Sequence, residues 1–284
     1  MANLVSTDWL RPRIGSENVV VLDCSWALPG KAPDPKKVFA EAHIPAARFF
    51  DIDEACDRST PLPHMLPKPS EFAAYAGALG ISSDHTVVCY DTGGFHPAAR
   101  VWWTFKAFGH REVMVLDGGL RKWAREGKPI TREAAKISPR TYHARLDPAR
   151  VAALKDVLEN LQGKKTLVLD ARGPGRFSAR EPEPRAGIRG GHIPGARNLP
   201  YACLFHEDVT YLSPRETLAL LDLRKIPAPG PFITSCGSGV TAAVVAFALS
   251  EAGVKDVKVY DGSWAEWGGR SDTPVETGLD PADK

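Results

Sequence analysis

Ala42-His-Ile-Pro-Ala-Ala47 and Gly191-His-Ile-Pro-Gly-Ala196 stand in the same chain with their histidines 149 residues apart. Other pairs share nearly that spacing. Val19-Val-Val-Leu-Asp-Cys-Ser-Trp26 is answered by Thr166-Leu-Val-Leu-Asp-Ala-Arg172, with the aspartates 147 apart. Val113-Met-Val-Leu-Asp-Gly-Gly119 is answered by Val257-Lys-Val-Tyr-Asp-Gly-Ser263, and a tryptophan follows in each, Trp123 and Trp267. Self-similarity at one near-constant offset marks a duplicated unit. The chain therefore reads as two copies of one domain in tandem.

Inside each copy, short apolar or β-branched runs at 19–23, 86–90, 113–116, 166–170, 232–235 and 257–260 suit strands buried on both faces of a parallel sheet. Helical patterns lie between them, at 70–79 with a Ser70 cap and Glu71 in the first turn, at 98–108, 214–223 and 241–252. Alternation of this kind predicts an α/β fold, each copy a parallel sheet flanked by helices on both faces. The expected division is a first domain at 1–136, a connection at 137–150 that holds Pro139 and Pro148, and a second domain at 151–284. Residues 29–35 and 179–191 read as Pro/Gly/charge-rich insertions, each soon after its copy's first strand.

Composition narrows the function classes. Hydrophobic residues make up 43% and charged residues 25%, the profile of a globular protein, and the formal net charge is only +2. That balance predicts neither a nucleic-acid surface nor a membrane patch. The first residues lack the pattern of a secretory signal, and the longest apolar run, 240–249, is too short to span a bilayer. Cys24, Cys56, Cys89, Cys203 and Cys236 are odd in number and scattered, with no C-x-x-C pair. The expectation is a reducing, cytoplasmic setting with no disulfide framework and no metal site.

One cysteine stands apart. Pro231-Phe-Ile-Thr-Ser-Cys-Gly-Ser-Gly-Val-Thr241 runs from a strand through a glycine-rich turn into a helix, with Cys236 first in the turn. Such a turn aims backbone N–H groups into a concavity, and the helix dipole adds positive potential there. A thiolate at that point is stabilised and nucleophilic. The aligned stretch of the first copy is Tyr90-Asp-Thr-Gly-Gly94, with Asp91 where the second has Cys236. A residue needed only by the fold would not change from thiol to carboxylate, so the pattern suggests duplication followed by loss of chemistry in the first copy. The other four cysteines read as structural, and His43 and His192, present in both copies, as fold-determining.

With the tandem halves, the Gly-His-Ile-Pro-Gly-Ala segment, Asp261-Gly-Ser-Trp-Ala-Glu-Trp-Gly268 and the cysteine turn, the chain resembles the two-domain rhodanese-type sulfurtransferases over its whole length. The resemblance implies a silent first copy and a catalytic second one, whose Cys236 cycles through a persulfide inside a loop completed by Gly237, Ser238, Gly239, Val240 and Thr241. Thiosulfate-using members place an arginine and a lysine after the cysteine. Gly237 and Ser238 are closer to the members that use 3-mercaptopyruvate, and Arg176 and Arg185 match the arginines that hold that donor's carboxylate and ketone. A guanidinium suits a carboxylate by paired charged hydrogen bonds, although either arginine, taken alone, equally fits a solvated surface charge.

Asp53, His64 and Ser238 match a proton relay proposed in the same members; His64 also fits an ordinary loop histidine. Asp53 and His64 precede residue 136, so the relay would make the first copy a contributor to the site. Arg172, Arg180 and Arg189 read as surface or structural. By resemblance the sulfur passes to acceptor thiols such as thioredoxin or low-molecular-weight thiols, or to cyanide, with no cofactor. The alternatives are a thiosulfate donor, a non-catalytic sulfur-carrier module, and a cysteine phosphatase. The last needs an arginine six residues after the cysteine, where this chain has Ala242.

Overall fold

The computed structural model describes residues 3–28, 30, 31 and 33–283, so Pro29 and Ala32 of the first insertion, and Met1, Ala2 and Lys284 at the ends, lie outside the described residues. The chain divides into two compact units. One comprises the chain up to Arg58 with Leu66–Asp147 and Glu207–Thr210; the other comprises Ser59–Met65, Pro148–His206 and the chain from Tyr211 onward. Residues 59–65, and with them His64, thus cluster with the second unit although they lie inside the 1–136 span.

The first unit holds β1 (Leu4–Val5), β2 (Val19–Asp23), β3 (Arg48–Phe49), β4 (Thr86–Tyr90) and β5 (Val113–Leu116) in one sheet of order β1-β5-β4-β2-β3. The second holds β6 (Val151–Ala152), β7 (Leu167–Asp170), β8 (Arg197–Asn198), β9 (Phe232–Ser235) and β10 (Val257–Tyr260) in the order β6-β10-β9-β7-β8. Every pairing is parallel. The two sheets therefore repeat one topology, strand for strand. Runs such as Val20–Asp23 and Phe232–Ser235 are buried at every position, as helices on both faces of a sheet require.

Five of the six strand-like runs have the expected bounds, and β7 begins one residue later. The edge strands β1, β3, β6 and β8 are two residues each, too short to carry a periodic signal. The helix Pro69–Ala78 starts a residue earlier than expected and is not capped by Ser70. Pro69 occupies its first position, and the Lys68 N–H donates to the Glu71 carboxylate at 3.0 Å. The helix Leu154–Gly163, absent from the expected helices, puts Leu154, Val157, Leu158 and Leu161 against the second core.

His43 and His192 occupy equivalent places in the two units. Each ring stacks on a phenylalanine, Phe39 or Phe177, and bonds that residue's carbonyl, at 2.7 and 2.8 Å. Each backbone also bridges to a later segment, at Thr131 and Glu276. They are fold residues.

Residues 137–147 form no helix or strand, yet they pack on the first unit. The N–H groups of Arg140, Arg145 and Asp147 donate to Gly77, Phe108 and Ala107 carbonyls. Tyr142 is buried, edge-on to Phe72 and stacked on His110. His110 Nε2 lies 2.9 Å from the His85 carbonyl and must donate, so Nδ1 accepts the Tyr142 hydroxyl at 3.1 Å. Burial lowers the His110 pKa and keeps the ring neutral for that role. Tyr142→Ala is expected to destabilise the protein by about 3–5 kcal/mol, the cost of emptying a buried aromatic site. A loose connecting residue would cost within about 0.5 kcal/mol; urea unfolding monitored by circular dichroism separates the two.

Candidate active site

β7 and β9 are neighbours, but the chain leaves them in opposite directions, to β8 and to β10. Open parallel sheets bind ligands outside the carboxyl ends of the strands at such a switch point. The segment after β7 carries Arg172 and Arg176, and the turn after β9 begins with Cys236.

The turn is tight and largely enclosed. All four residues of β9 are buried, Cys236 is 2% exposed, and Gly239 at φ +80° leads into the helix Val240–Glu251, whose residues 240–249 are all buried. A short helix, Ser263–Trp267, meets it from β10. The Trp264 and Ala265 N–H groups donate to the Cys236 and Gly237 carbonyls, each at 2.9 Å, and the Cys236 N–H donates to Ser263 Oγ at 3.2 Å. A trans peptide sets its N–H opposite its C=O. Pinning those two carbonyls on one side therefore turns the Gly237 and Ser238 N–H groups to the other, and a hollow rich in donors forms at the helix start.

The first unit shows what that hollow holds. The Asp91 carbonyl accepts from Leu120 N–H at 2.9 Å, as Cys236 does from Trp264. Its carboxylate then turns into the concavity: Oδ1 accepts from Gly93 N–H at 2.8 Å and Oδ2 from Ala98 N–H at 3.0 Å. The chain's own side chains take these donors: Asp91 accepts the Gly93 N–H, counterpart of that of Ser238, and Ser25 Oγ accepts the Thr92 N–H, counterpart of that of Gly237, at 3.1 Å. In the second unit the Cys236 side chain stands at the position of that carboxylate.

Arg176 lies against the turn. A Cβ added to Gly237 would come within 2.9 Å of its Nη2. Its Nε and Nη2 donate to the Glu183 carboxylate at 3.2 and 2.5 Å. Glu183 is also held by Arg172 Nη1 at 2.7 Å, and Arg172 reaches Asp170 at 2.6 Å and the Gly191 carbonyl at 2.7 Å while lying 4.5 Å over the Trp264 ring. Arg172 is fully buried, which corrects the surface reading and leaves the structural one. Burial alone would lower its pKa, but the Asp170 and Glu183 carboxylates outweigh that and raise it. Arg189 is structural, bonded to the Trp267, Gly268 and Thr273 carbonyls, and Arg180 is exposed. Arg185 is half-buried on the same insertion.

Ser238 and His64 are brought together: His64 Nδ1 lies 3.1 Å from Ser238 Oγ, and both residues are buried. His64 adopts φ +62°, an uncommon conformation for a residue with a side chain. Asp53 belongs to the first unit, where it accepts from Trp26 Nε1 at 2.9 Å. Val240 and Thr241, expected in the loop, form the first turn of the helix.

Two residues were not singled out by the sequence reading. Ser263, whose Oγ accepts from Cys236 N–H and donates to the Tyr260 carbonyl at 2.8 Å, stands where the first copy has Gly119. Tyr201 is half-buried at the start of the turn Tyr201–Leu204; burial raises its phenol pKa, Arg176 opposes that, and Cys236 adds to it. Its counterpart in the first copy is Ile52. The same loss of symmetry that marks Cys236 marks both.

Arg172 supports the site through buried charge. Arg172→Met would leave Asp170 and Glu183 without a shared cation, and the expected loss is about 3–5 kcal/mol. Guanidinium unfolding would measure it; a loss below about 1 kcal/mol would mean that the two carboxylates do not depend on Arg172.

The fold agrees with that of known proteins. The chain matches the rhodanese-like domain family twice, over residues 6–126 and 153–270. It is 44% identical to the 3-mercaptopyruvate sulfurtransferase of Homo sapiens, across 93% of this chain and 91% of the human one. It is equally, 44%, identical to the thiosulfate sulfurtransferase of Cricetulus griseus, with 93% and 91% covered. Among solved structures it superposes on SseA of Escherichia coli, described as a 3-mercaptopyruvate sulfotransferase, with a TM-score of 0.85 at 37% identity, covering 93% of this chain and 99% of SseA. Carrying two such domains, one with a cysteine at the head of its turn and one with an aspartate there, the chain belongs to the rhodanese family.

Proposed function

We propose that Cys236 takes a sulfur atom from 3-mercaptopyruvate as a persulfide, releases pyruvate, and passes the sulfur to a thiol or to cyanide. Identity alone does not choose the donor, since relatives named for either one are equally similar. The observation that carries the reading is Arg176 against Gly237. The space next to the cysteine is filled by a guanidinium from the short helix Pro174–Phe177, held by Glu183 along its Nε–Nη2 edge, with Nη1 placed to bond a carboxylate. A side chain on residue 237 would contend for that space.

In this reading Arg176 and Arg185 hold the donor's carboxylate and ketone. The Cys236 thiolate attacks the donor sulfur, and the C–S bond breaks with its electron pair going to carbon, giving the pyruvate enolate. The donor carbon is reduced as a disulfide-type S–S bond forms; one proton completes pyruvate. Ser238, bonded to His64, is the group placed to deliver it, and Asp53 is assigned to the same relay on the resemblance alone. The Gly237 and Ser238 N–H groups stabilise sulfur charge before and after the transfer. An acceptor thiolate, from thioredoxin or a small thiol, or cyanide then removes the outer sulfur and restores the thiolate.

The proposed division places this chemistry in 151–284 with His64, and 137–150 as the connection. All five cysteines are free, which supports a reducing, cytoplasmic setting. Among the described residues no helix is long and apolar enough to cross a membrane.

Incubation with 3-mercaptopyruvate, without acceptor, should add one sulfur atom to the intact mass, and Cys236→Ala should gain none; an equal gain in the variant would remove Cys236 from the role. Gly237→Ala should leave folding intact but displace Arg176, raising the KM for 3-mercaptopyruvate about tenfold, the value of one charged hydrogen bond. Steady-state pyruvate release reads that change.

A further inference from the structure

Behind the cysteine turn, Asp170, Arg172, Glu183 and Arg176 form one continuous chain of buried or half-buried charge. We propose that Glu183 is a positioning residue that makes the site select a monoanionic sulfur donor over a dianionic one. The proposal rests on the reading that Cys236 takes sulfur from 3-mercaptopyruvate, and names what excludes thiosulfate.

Glu183 uses both of its oxygens. Oε1 accepts from Arg172 and from Arg176 Nε, and Oε2 accepts from Arg176 Nη2. Its own place is fixed by Arg172, which Asp170, the Gly191 carbonyl and the Trp264 ring hold on separate sides. Arg176 is therefore gripped along its Nε–Nη2 edge, with Nη2 against Gly237, and Nη1 is the part of the fork that Glu183 leaves for a ligand. The grip fixes orientation.

It also fixes charge. Two guanidinium groups and two carboxylates cancel, so the cluster offers a carboxylate directed hydrogen bonds while adding no net charge to the hollow. A single donor carboxylate is satisfied by such bonds. A second negative charge, as on thiosulfate, loses its hydration on entry and meets no net cation from this cluster to offset the loss. The first copy argues that the network serves the site. There Ser25 replaces Arg172, the carboxyl of Asp23 sits buried with its pKa raised, and the same sheet forms.

Glu183→Gln tests the charge at nearly constant shape. The kcat/KM for thiosulfate should rise and that for 3-mercaptopyruvate fall, moving their ratio toward thiosulfate by about tenfold or more. Glu183→Asp, which restores the charge, should keep thiosulfate as poor a donor as in the wild type. Structural damage would lower both donors together, so an unchanged ratio in Glu183→Gln overturns the proposal. Wild-type protein provides a second measurement should the variant fail to fold. Pyruvate should slow alkylation of Cys236 by iodoacetamide at least tenfold more effectively than sulfate at equal ionic strength, and equal protection overturns the proposal. Wild type that released no pyruvate from 3-mercaptopyruvate would instead defeat the reading of the donor itself.

Discussion

Two backbone carbonyls set the shape of the turn that begins with Cys236. Those of Cys236 and Gly237 point at the N–H groups of Trp264 and Ala265, and because peptides are planar the amides that follow must face the other way. The donor-rich hollow is thus a by-product of how the helix Ser263–Trp267 docks on the turn after β9. Ser263 closes the arrangement by accepting the Cys236 N–H. A short helix docked on one side of the turn decides which way the amides on the other side point.

The first unit shows that this constraint belongs to the fold. Leu120 pins the Asp91 carbonyl as Trp264 pins that of Cys236, and Asp91 then fills the hollow with its own carboxylate. An unfilled ring of donors costs free energy when shielded from water. One copy resolves that cost internally and is finished. The other has Cys236 at the position of that carboxylate, and the proposed sulfur transfer uses the donors that the thiol leaves unclaimed.

Much of this was legible in the amino-acid order. Strands buried on both faces are continuous apolar runs, so β2, β4, β5, β9 and β10 stood out, and duplication turned Asp91 against Cys236 into a functional signal. The edge strands were hidden because two residues have no period. Arg172 stays open between surface and structural in the amino-acid order for a different reason. An arginine reads as exposed unless its counter-charges are known, and Glu183 lies eleven residues on in an insertion without regular structure. Ser263 and Tyr201 carried the signal of broken symmetry, against Gly119 and Ile52, but hydroxyl residues are common enough at strand ends and turns to pass as ordinary. His64 was legible as a residue type and not in its membership: the short segment 59–65 clusters with the unit that holds Ser238.

Donor choice then follows from space and charge together. Near the sulfur, residue 237 and the Arg176 guanidinium contend for one volume, since even a methyl group on residue 237 would approach Nη2 to 2.9 Å. A chain with a long cation there must move or lose this arginine. A chain with glycine can keep it, and must then hold it in place from behind, because a long, partly exposed arginine side chain has many conformers to lose. Glu183 supplies that hold, and Arg172 supplies the hold on Glu183. The carboxylates that fix the orientation of Arg176 also offset its charge, so in the proposed donor choice this cluster contributes the direction of its hydrogen bonds and little net field.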